Sequence, residues 1–175
     1  MTLPHVPDIR PFMAGFPTGV TVVTATAADG TPWGMTCSSL CSVTLDPPTL
    51  LVCLRGGSPT LAAVEAAGSF AVNLLHVHAR PTAELFASGS PDRFERVVWR
   101  GGEGAAGPHL VESAHAIADC SVDEVRAMGS HAMVLGRVCA VSQLRPQQPL
   151  MYGMRRFGSF TESAEESHLL YDFMS

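Results

Sequence analysis

Four hydroxyl side chains, Thr36, Ser38, Ser39 and Ser42, stand within seven residues of one another. Hydroxyls at that density, with the backbone N–H groups beside them, can hold a phosphate or the polar edge of a ring without a formal charge. They also suit an ordinary polar loop, and residue type alone does not separate the two uses. Any anion bound here must otherwise meet arginine, because all 11 cationic side chains are Arg and there is no Lys. His131 follows a Gly129-Ser130 pair and opens a long apolar run; by type it is a turn histidine or a ligand contact. Phe16-Pro17-Thr18-Gly19 offers a glycine where backbone can approach a ligand closely. His76-Val77-His78 would set two imidazoles on one face of a strand, but no third ligand stands at a metal-site spacing, so no metal is expected. There is no GxGxxG after a strand and no GxSxG elbow, so neither a Rossmann nucleotide turn nor a serine hydrolase is indicated.

Composition narrows the classes further. The chain has 175 residues, 46% hydrophobic and only 15% charged, with a formal net charge of −5. Nucleic-acid binding needs a basic footprint and is not expected. The sparse charge fits a surface partly covered in an oligomer. The opening residues lack a basic patch followed by an apolar run, and no stretch is long and apolar enough to cross a membrane, so a cytosolic protein is expected. The five cysteines are odd in number and lack a CxxC pair. Cys37, Cys53, Cys120 and Cys139 sit in apolar runs and read as buried free thiols.

The elements that must position these groups are mostly strands. Val20–Thr26 is rich in β-branched residues, and Asp29-Gly30 before a second strand-like run predicts a hairpin with a type I′ turn. Thr49–Leu54 reads as a strand entered from Asp46-Pro47-Pro48. Ser58-Pro59 opens a helix that Gly68 closes. Ser69–Leu75 is a strand, and Arg80–Ala87 a second helix. After the loop Gly101–Pro108, His115–Val125 and His131–Gln143 are strand-like, with a short β segment near Leu150–Tyr152. Six or seven strands with two or three short helices at the crossovers predict a mainly β Greek-key barrel, forming a single domain over 1–175 with an N-terminal extension at 1–11 and a tail at 161–175.

Several segments, in this order, carry a family resemblance. They are Phe16-Pro17-Thr18-Gly19-Val20, Gly34-Met35-Thr36-Cys37-Ser38-Ser39 through Val43, Asp46-Pro47-Pro48, Ser58-Pro59-Thr60 and Phe70-Ala71-Val72-Asn73-Leu74-Leu75. The order continues with Gly107-Pro108-His109-Leu110, Gly129-Ser130-His131, Gly136-Arg137-Val138 and Pro149-Leu150-Met151-Tyr152. The chain resembles the short-chain flavin reductases, which have a split-barrel fold. The resemblance implies a homodimer that reduces free FAD or FMN with NADH or NADPH and hands reduced flavin to a monooxygenase. It places Gly34, Met35, Thr36, Cys53, Leu54 and Arg55 along the flavin ring. Cys37, Ser38, Ser39, Ser42, Ser58 and Thr60 join the flavin-binding set. Pro17, Thr18, Gly19, His131 and Tyr152 are implied to meet the nicotinamide nucleotide. Tyr152, Arg155, Arg156 and Phe157 belong to the groove or to the dimer seam. Two positions depart from the family pattern. Ser130 stands where an Asp is common, and Arg80 follows the VNLL strand where a Gln is common; Arg80 could hold a phosphate instead.

Hydride transfer between two cofactors asks the protein for alignment more than for acid–base groups, so no catalytic side chain is expected. NADH is favoured over NADPH because no cationic cluster lies near the expected nucleotide contacts in sequence. Alternatives are a non-catalytic flavin-binding module and a pyridoxamine-phosphate-oxidase-like or haem-related split-barrel protein. The His131 segment speaks against the first, and the absence of Lys with the matching FPTGV run against the second.

Overall fold

The computed structural model describes residues 7–102, 104–144 and 146–160. The tail expected over 161–175 lies outside these residues, as do His5 and His168. The extension expected over 1–11 is described from residue 7 and runs into a short helix, α1 (Arg10–Ala14).

Ten strands form among the described residues, rather than six or seven. Seven of them make one antiparallel sheet: β2 (Thr21–Thr26), β3 (Pro32–Cys37), β4 (Cys41–Leu45), β5 (Pro48–Arg55), β6 (Ser69–Leu75), β7 (Ala114–Met128) and β8 (His131–Gln143). Their order is β3-β2-β6-β7-β8-β5-β4. A small second sheet pairs β1 (Thr18–Gly19) with β9 (Leu150–Gly153), and β9 with β10 (Arg156–Ser159). The additional strands are two to five residues long, too short for a two-residue period to stand out in sequence.

The seven-stranded sheet curls until its β3 side meets β5. There the Ser39 hydroxyl accepts the N–H of Cys53 at 3.0 Å and donates to the Cys53 carbonyl at 3.1 Å. One side chain thus does the work of a missing ladder pair at the barrel seam. Removing it leaves the Cys53 N–H without a partner and its carbonyl with the Cys37 thiol alone, 3.7 Å away, at about 1–3 kcal/mol. Ser39→Ala should lower the melting temperature by several degrees in a calorimetric scan, at roughly 2–4 °C per kcal/mol for a domain of this size. An unchanged transition would show that the seam closes without it.

Val23, Val52, Leu54, Phe70, Val72 and Val134 fill the barrel interior. Its open end is covered by α2 (Pro59–Ala67), which buries Leu61, Ala63 and Val64. The helix begins as its sequence signals: Ser58 accepts from the Leu61 N–H at 3.2 Å, and Pro59 occupies the first position. Strand β2 is buried on both faces, so it reads as an unbroken apolar and threonine run. Val23 and Ala25 point inward, while Val22 packs with Leu75, Phe86 and Leu110 under α3 (Arg80–Ser88).

The β2–β3 turn differs from the type I′ expectation. Only Gly30 has positive φ, at 84°, and its N–H donates to Ala27 O at 2.9 Å. Ala27–Gly30 is therefore a type I turn whose last residue is left-handed, a longer hairpin loop that also favours Asp-Gly. The thiols also differ from expectation: Cys37 and Cys120 are buried, but Cys53 is half-buried and Cys139 is exposed. Burial first, with Cys139 and Asp119 adding, pushes the Cys120 thiol up to about 12, so it carries no nucleophilic thiolate near neutral pH.

The Gly107-Pro108-His109-Leu110 segment is clamped to the outer face of the barrel. Asn73, fully buried, donates from Nδ2 to Val22 O at 3.1 Å, Thr24 Oγ1 at 3.1 Å and Pro108 O at 3.4 Å, and accepts the Leu110 N–H at 2.8 Å. Thr24 donates to Pro108 O at 2.6 Å, and Asp119 accepts from the Ala106 N–H at 2.7 Å and lies 2.8 Å from His109 Nε2. A Cβ on Gly107 would run into the Thr24 carbonyl, so only glycine lets the loop sit this close. These residues of the family motif hold structure together rather than line a site.

Candidate functional site

Strand β3 and helix α3 form the two walls of an open groove. The Thr36 hydroxyl donates to the Ala83 carbonyl at 2.6 Å and ties the walls together. On α3 the groove face carries Ala83 and Ala87, four residues apart and both small, which sets the width. The middle of the groove is a cavity of about 520 Å³ lined by Thr36, Ser38, Ala83, Ala87, Tyr152 and Phe157.

Two further cavities join it. Toward α2, Thr36 and Ala87 are shared with a cavity of about 440 Å³ lined by Trp33, Met35, Arg55, Ser58, Thr60 and Arg93. Toward α1, Ser38 and Tyr152 are shared with one of about 520 Å³ that also meets Thr18, Arg10 and Arg155. A fourth, of about 350 Å³, lies behind Pro17, Thr18 and Gly19 and reaches Ser38 and His115. Each is within the usual range for small-molecule sites, roughly 300–1,000 Å³.

The expected residues do not all reach this groove. Gly34, Met35, Thr36, Arg55, Ser58 and Thr60 line the α2 end, and Ser38 and Ser39 the α1 end. Ser38 is exposed, borders three of the cavities, and spends its hydroxyl on no other side chain or backbone group among the described residues. Among the expected hydroxyls it is the one most available to a ligand, since those of Thr36 and Ser39 are committed to structural hydrogen bonds. Leu54 is fully buried in the barrel core, and the Cys37 thiol packs inside against Ser39 Oγ, 3.0 Å away. Cys53 gives its backbone to the seam. Ser42 lies on the exposed strand β4 and lines none of these cavities. Arg80 pairs with Glu84 at 2.8 Å and stacks over Phe157 at 5.4 Å, which leaves it outside the groove lining.

The nicotinamide set is divided. Register pairs Thr18 with Tyr152 and Gly19 with Met151, so Pro17, Thr18, Gly19 and Tyr152 gather around the small sheet. Tyr152 stands edge-on to Phe157, 5.2 Å between centroids. His131 instead pairs with Arg55 across β5 and β8, and lines none of the cavities. The Ser130 hydroxyl lies 3.0 Å from His131 Nδ1, so serine can orient the imidazole where the family commonly has a carboxylate. His76 spends Nε2 on Glu112 O and Nδ1 on the His78 N–H. Burial first, and then His76, pushes the His115 imidazole below its ordinary value. The folded state thus resists a proton that the unfolded chain accepts. Stability is therefore expected to fall as pH drops below ~6.5, which urea midpoints across pH would show.

Sequence reasoning missed Arg93 and the pairing of Arg10 with Arg155 in one cavity. No local pattern marks Arg93, which is buried only because the turn after α3 folds back over Trp33. Arg10 and Arg155 are brought together by the contact of β9 with β1. Arg10 is bound by the Asp8 carboxylate at 2.8 and 2.9 Å, so of the two it is Arg155 that stands beside Thr18 and Tyr152 without an ion pair among the described residues. The groove suits a flat nucleotide: apolar and small-residue walls, free hydroxyl and backbone groups, and arginines at both ends. Arg93 also borders the α2-end cavity, and its Nη2 makes no hydrogen bond among the described residues.

The chain matches the flavin reductase like domain over residues 13–161. It is 51% identical over 154 residues to a flavin reductase (NADPH) of Lentzea aerocolonigenes, covering 88% of this chain and 89% of that one. It is 36% identical over 143 residues to the reductase subunit of a flavin-dependent monooxygenase of Rhodococcus jostii, covering 82% and 72%. Among solved structures it resembles the NADH:FAD oxidoreductase of Streptomyces globisporus bound to NAD and FAD fragments. That match has a TM-score of 0.83, 30% identity, and coverage of 92% and 99%. Sequence motif, split barrel and groove agree, and the chain belongs to the flavin reductase-like family of NAD(P)H-dependent oxidoreductases.

Proposed function

We propose that the groove between β3 and α3 holds flavin and NAD(P)H in succession or together, and that reduced flavin leaves it for a partner monooxygenase. The observation that carries this reading is the continuity of the groove: three adjoining cavities, open to solvent, with walls of small and aromatic side chains. An open groove suits a flavin that comes and goes as a substrate. Bound there, the flavin accepts hydride from the reduced nicotinamide, and the protein supplies position.

The residues present can do that positioning. Thr36 fixes the distance between the walls. Ser38 offers a free hydroxyl to a polar ring edge. Tyr152 and Phe157 give an aromatic surface beside the small sheet. FAD and FMN both suit the groove, and the arginines at its ends suit NADPH as well as NADH.

The protein works as a homodimer in the cytosol. Strand β4 is exposed along its whole length, and Val43 and Leu45 stand 50% and 79% exposed on it. An unpaired apolar edge of that kind is normally covered. In the dimer His131 meets nicotinamide nucleotide. His131→Ala should then raise the KM for NAD(P)H several-fold and leave flavin affinity unchanged. Unchanged nicotinamide kinetics would remove His131 from the site. The overall reading is tested by following NAD(P)H consumption with purified protein. Turnover should require added flavin and scale with its concentration; turnover without added flavin would contradict it.

A further inference from the structure

We infer that Arg93, in the cavity at the α2 end of the groove, is a binding residue for a phosphate that riboflavin and NADH lack: the flavin's own phosphate or the 2′-phosphate of NADPH. The inference rests on the groove being a nucleotide site, and concerns which group holds the anion there.

Arg93 is only 6% exposed. A buried guanidinium ordinarily has a carboxylate beside it, because an uncompensated charge away from water is costly. None lies within salt-bridge distance of Arg93 among the described residues. Its neighbour Asp92 faces Ser90 and Arg96 instead. Among the described residues the Arg93 side chain makes one hydrogen bond, from Nη1 to Ser90 O at 2.9 Å; Nε is buried without a partner, and Nη2 makes no hydrogen bond and is the donor left for a ligand. Its guanidinium lies over the Trp33 ring, 5.2 Å from the ring centre. Burial lowers its pKa, yet an arginine in a protein stays charged.

The surroundings supply what the cation lacks. The cavity it lines also carries Arg55, the Gly56-Gly57 backbone, Ser58, and the first residues of α2, a nine-residue helix. Among the described residues no Asp or Glu lines it. Two arginines, a helix start and close-approaching glycines suit a phosphate. Two nucleotides of the reaction carry one in a discriminating place: the phosphate of FMN or FAD, and the 2′-phosphate of NADPH.

The test uses the full chain and its Arg93→Gln and Arg93→Lys variants. Equilibrium binding of FMN is compared with riboflavin, which has the same ring and no phosphate, and NADPH with NADH. Melting is recorded alongside. Arg93→Gln should weaken the phosphate-bearing member of one pair by roughly tenfold to a hundredfold and leave its counterpart nearly unchanged, with Lys recovering part of the loss. A change confined to FMN assigns the flavin phosphate; one confined to NADPH assigns the 2′-phosphate. Equal losses within both pairs, or no loss, overturn the inference and leave Arg93 a clamp on Trp33. Should Arg93→Gln fail to fold, the wild type decides. Inorganic phosphate should displace FMN or NADPH but neither riboflavin nor NADH, and failure to do so overturns the inference. Wild-type protein that binds no flavin at all would refute the groove itself, a separate result.

Discussion

An Ala87→Trp variant should bind flavin roughly a hundredfold more weakly than the wild type and melt at nearly the same temperature. Ala87 lies on the exposed face of α3 and borders both the central and the α2-end cavities, so its side chain faces the groove rather than the core. An indole there would settle against the aromatic pair Tyr152 and Phe157, where a planar ligand would otherwise lie. A helix-surface exchange of this kind changes folding stability little. Fluorescence titration with FMN and FAD, with a melting curve beside it, separates the two effects. Full flavin affinity in a folded Ala87→Trp protein would move the flavin out of this groove.

Asn73→Ala should cost about 3–5 kcal/mol, among the largest losses a single substitution produces. Its side chain donates to three oxygens and accepts one N–H in a fully buried place. Alanine would leave the buried Leu110 N–H without a partner, take a donor from the Val22, Thr24 and Pro108 oxygens, and leave a cavity, so that the Gly107–Leu110 loop would hang on Thr24 and Asp119 alone. Against a total stability of roughly 5–15 kcal/mol, that is a large share. Asn73→Asp adds a sign that can be read. The carboxylate would face the oxygens of Val22, Thr24 and Pro108, so its folded pKa would lie above the unfolded value of ~3.9. The penalty then grows as pH rises through that value, and Asn73→Asp should be closest to wild type in acid. Urea midpoints across pH report this; a pH-independent gap would mean the carboxylate has found water.

Much of the fold could be read from local pattern. Ser58, Pro59 and Gly68 mark α2 by capping chemistry that acts within a few residues. The β-branched run of β2 and the Asp29-Gly30 turn mark the first hairpin. The turn type escaped because Asp-Gly suits two hairpin loops that differ by where the positive φ falls. Parts of the site were legible only as residue types. Ser39 and Ser38 are adjacent hydroxyls with opposite uses, one closing the barrel seam and the other facing the groove, and only the meeting of β3 with β5 decides which is which. Leu54 sits beside a site strand but alternates inward. Cys139 lies on the part of β8 that runs past its pairing with β5, so an apolar neighbourhood in sequence became an exposed thiol. Arg93, and the pair Arg10 and Arg155, gained their surroundings from contacts between distant segments, which no spacing along the chain records.

The central claim is that flavin is a substrate passing through the groove, and anaerobic reduction tests it most directly. Protein is mixed with NAD(P)H and a large molar excess of FAD or FMN, and the yellow absorbance of oxidised flavin is followed. The account predicts that the whole flavin pool is bleached, with one NAD(P)H consumed per flavin. Bleaching that stops at about one flavin per protomer, or no bleaching despite flavin binding, would contradict it and leave a protein that only holds the cofactor.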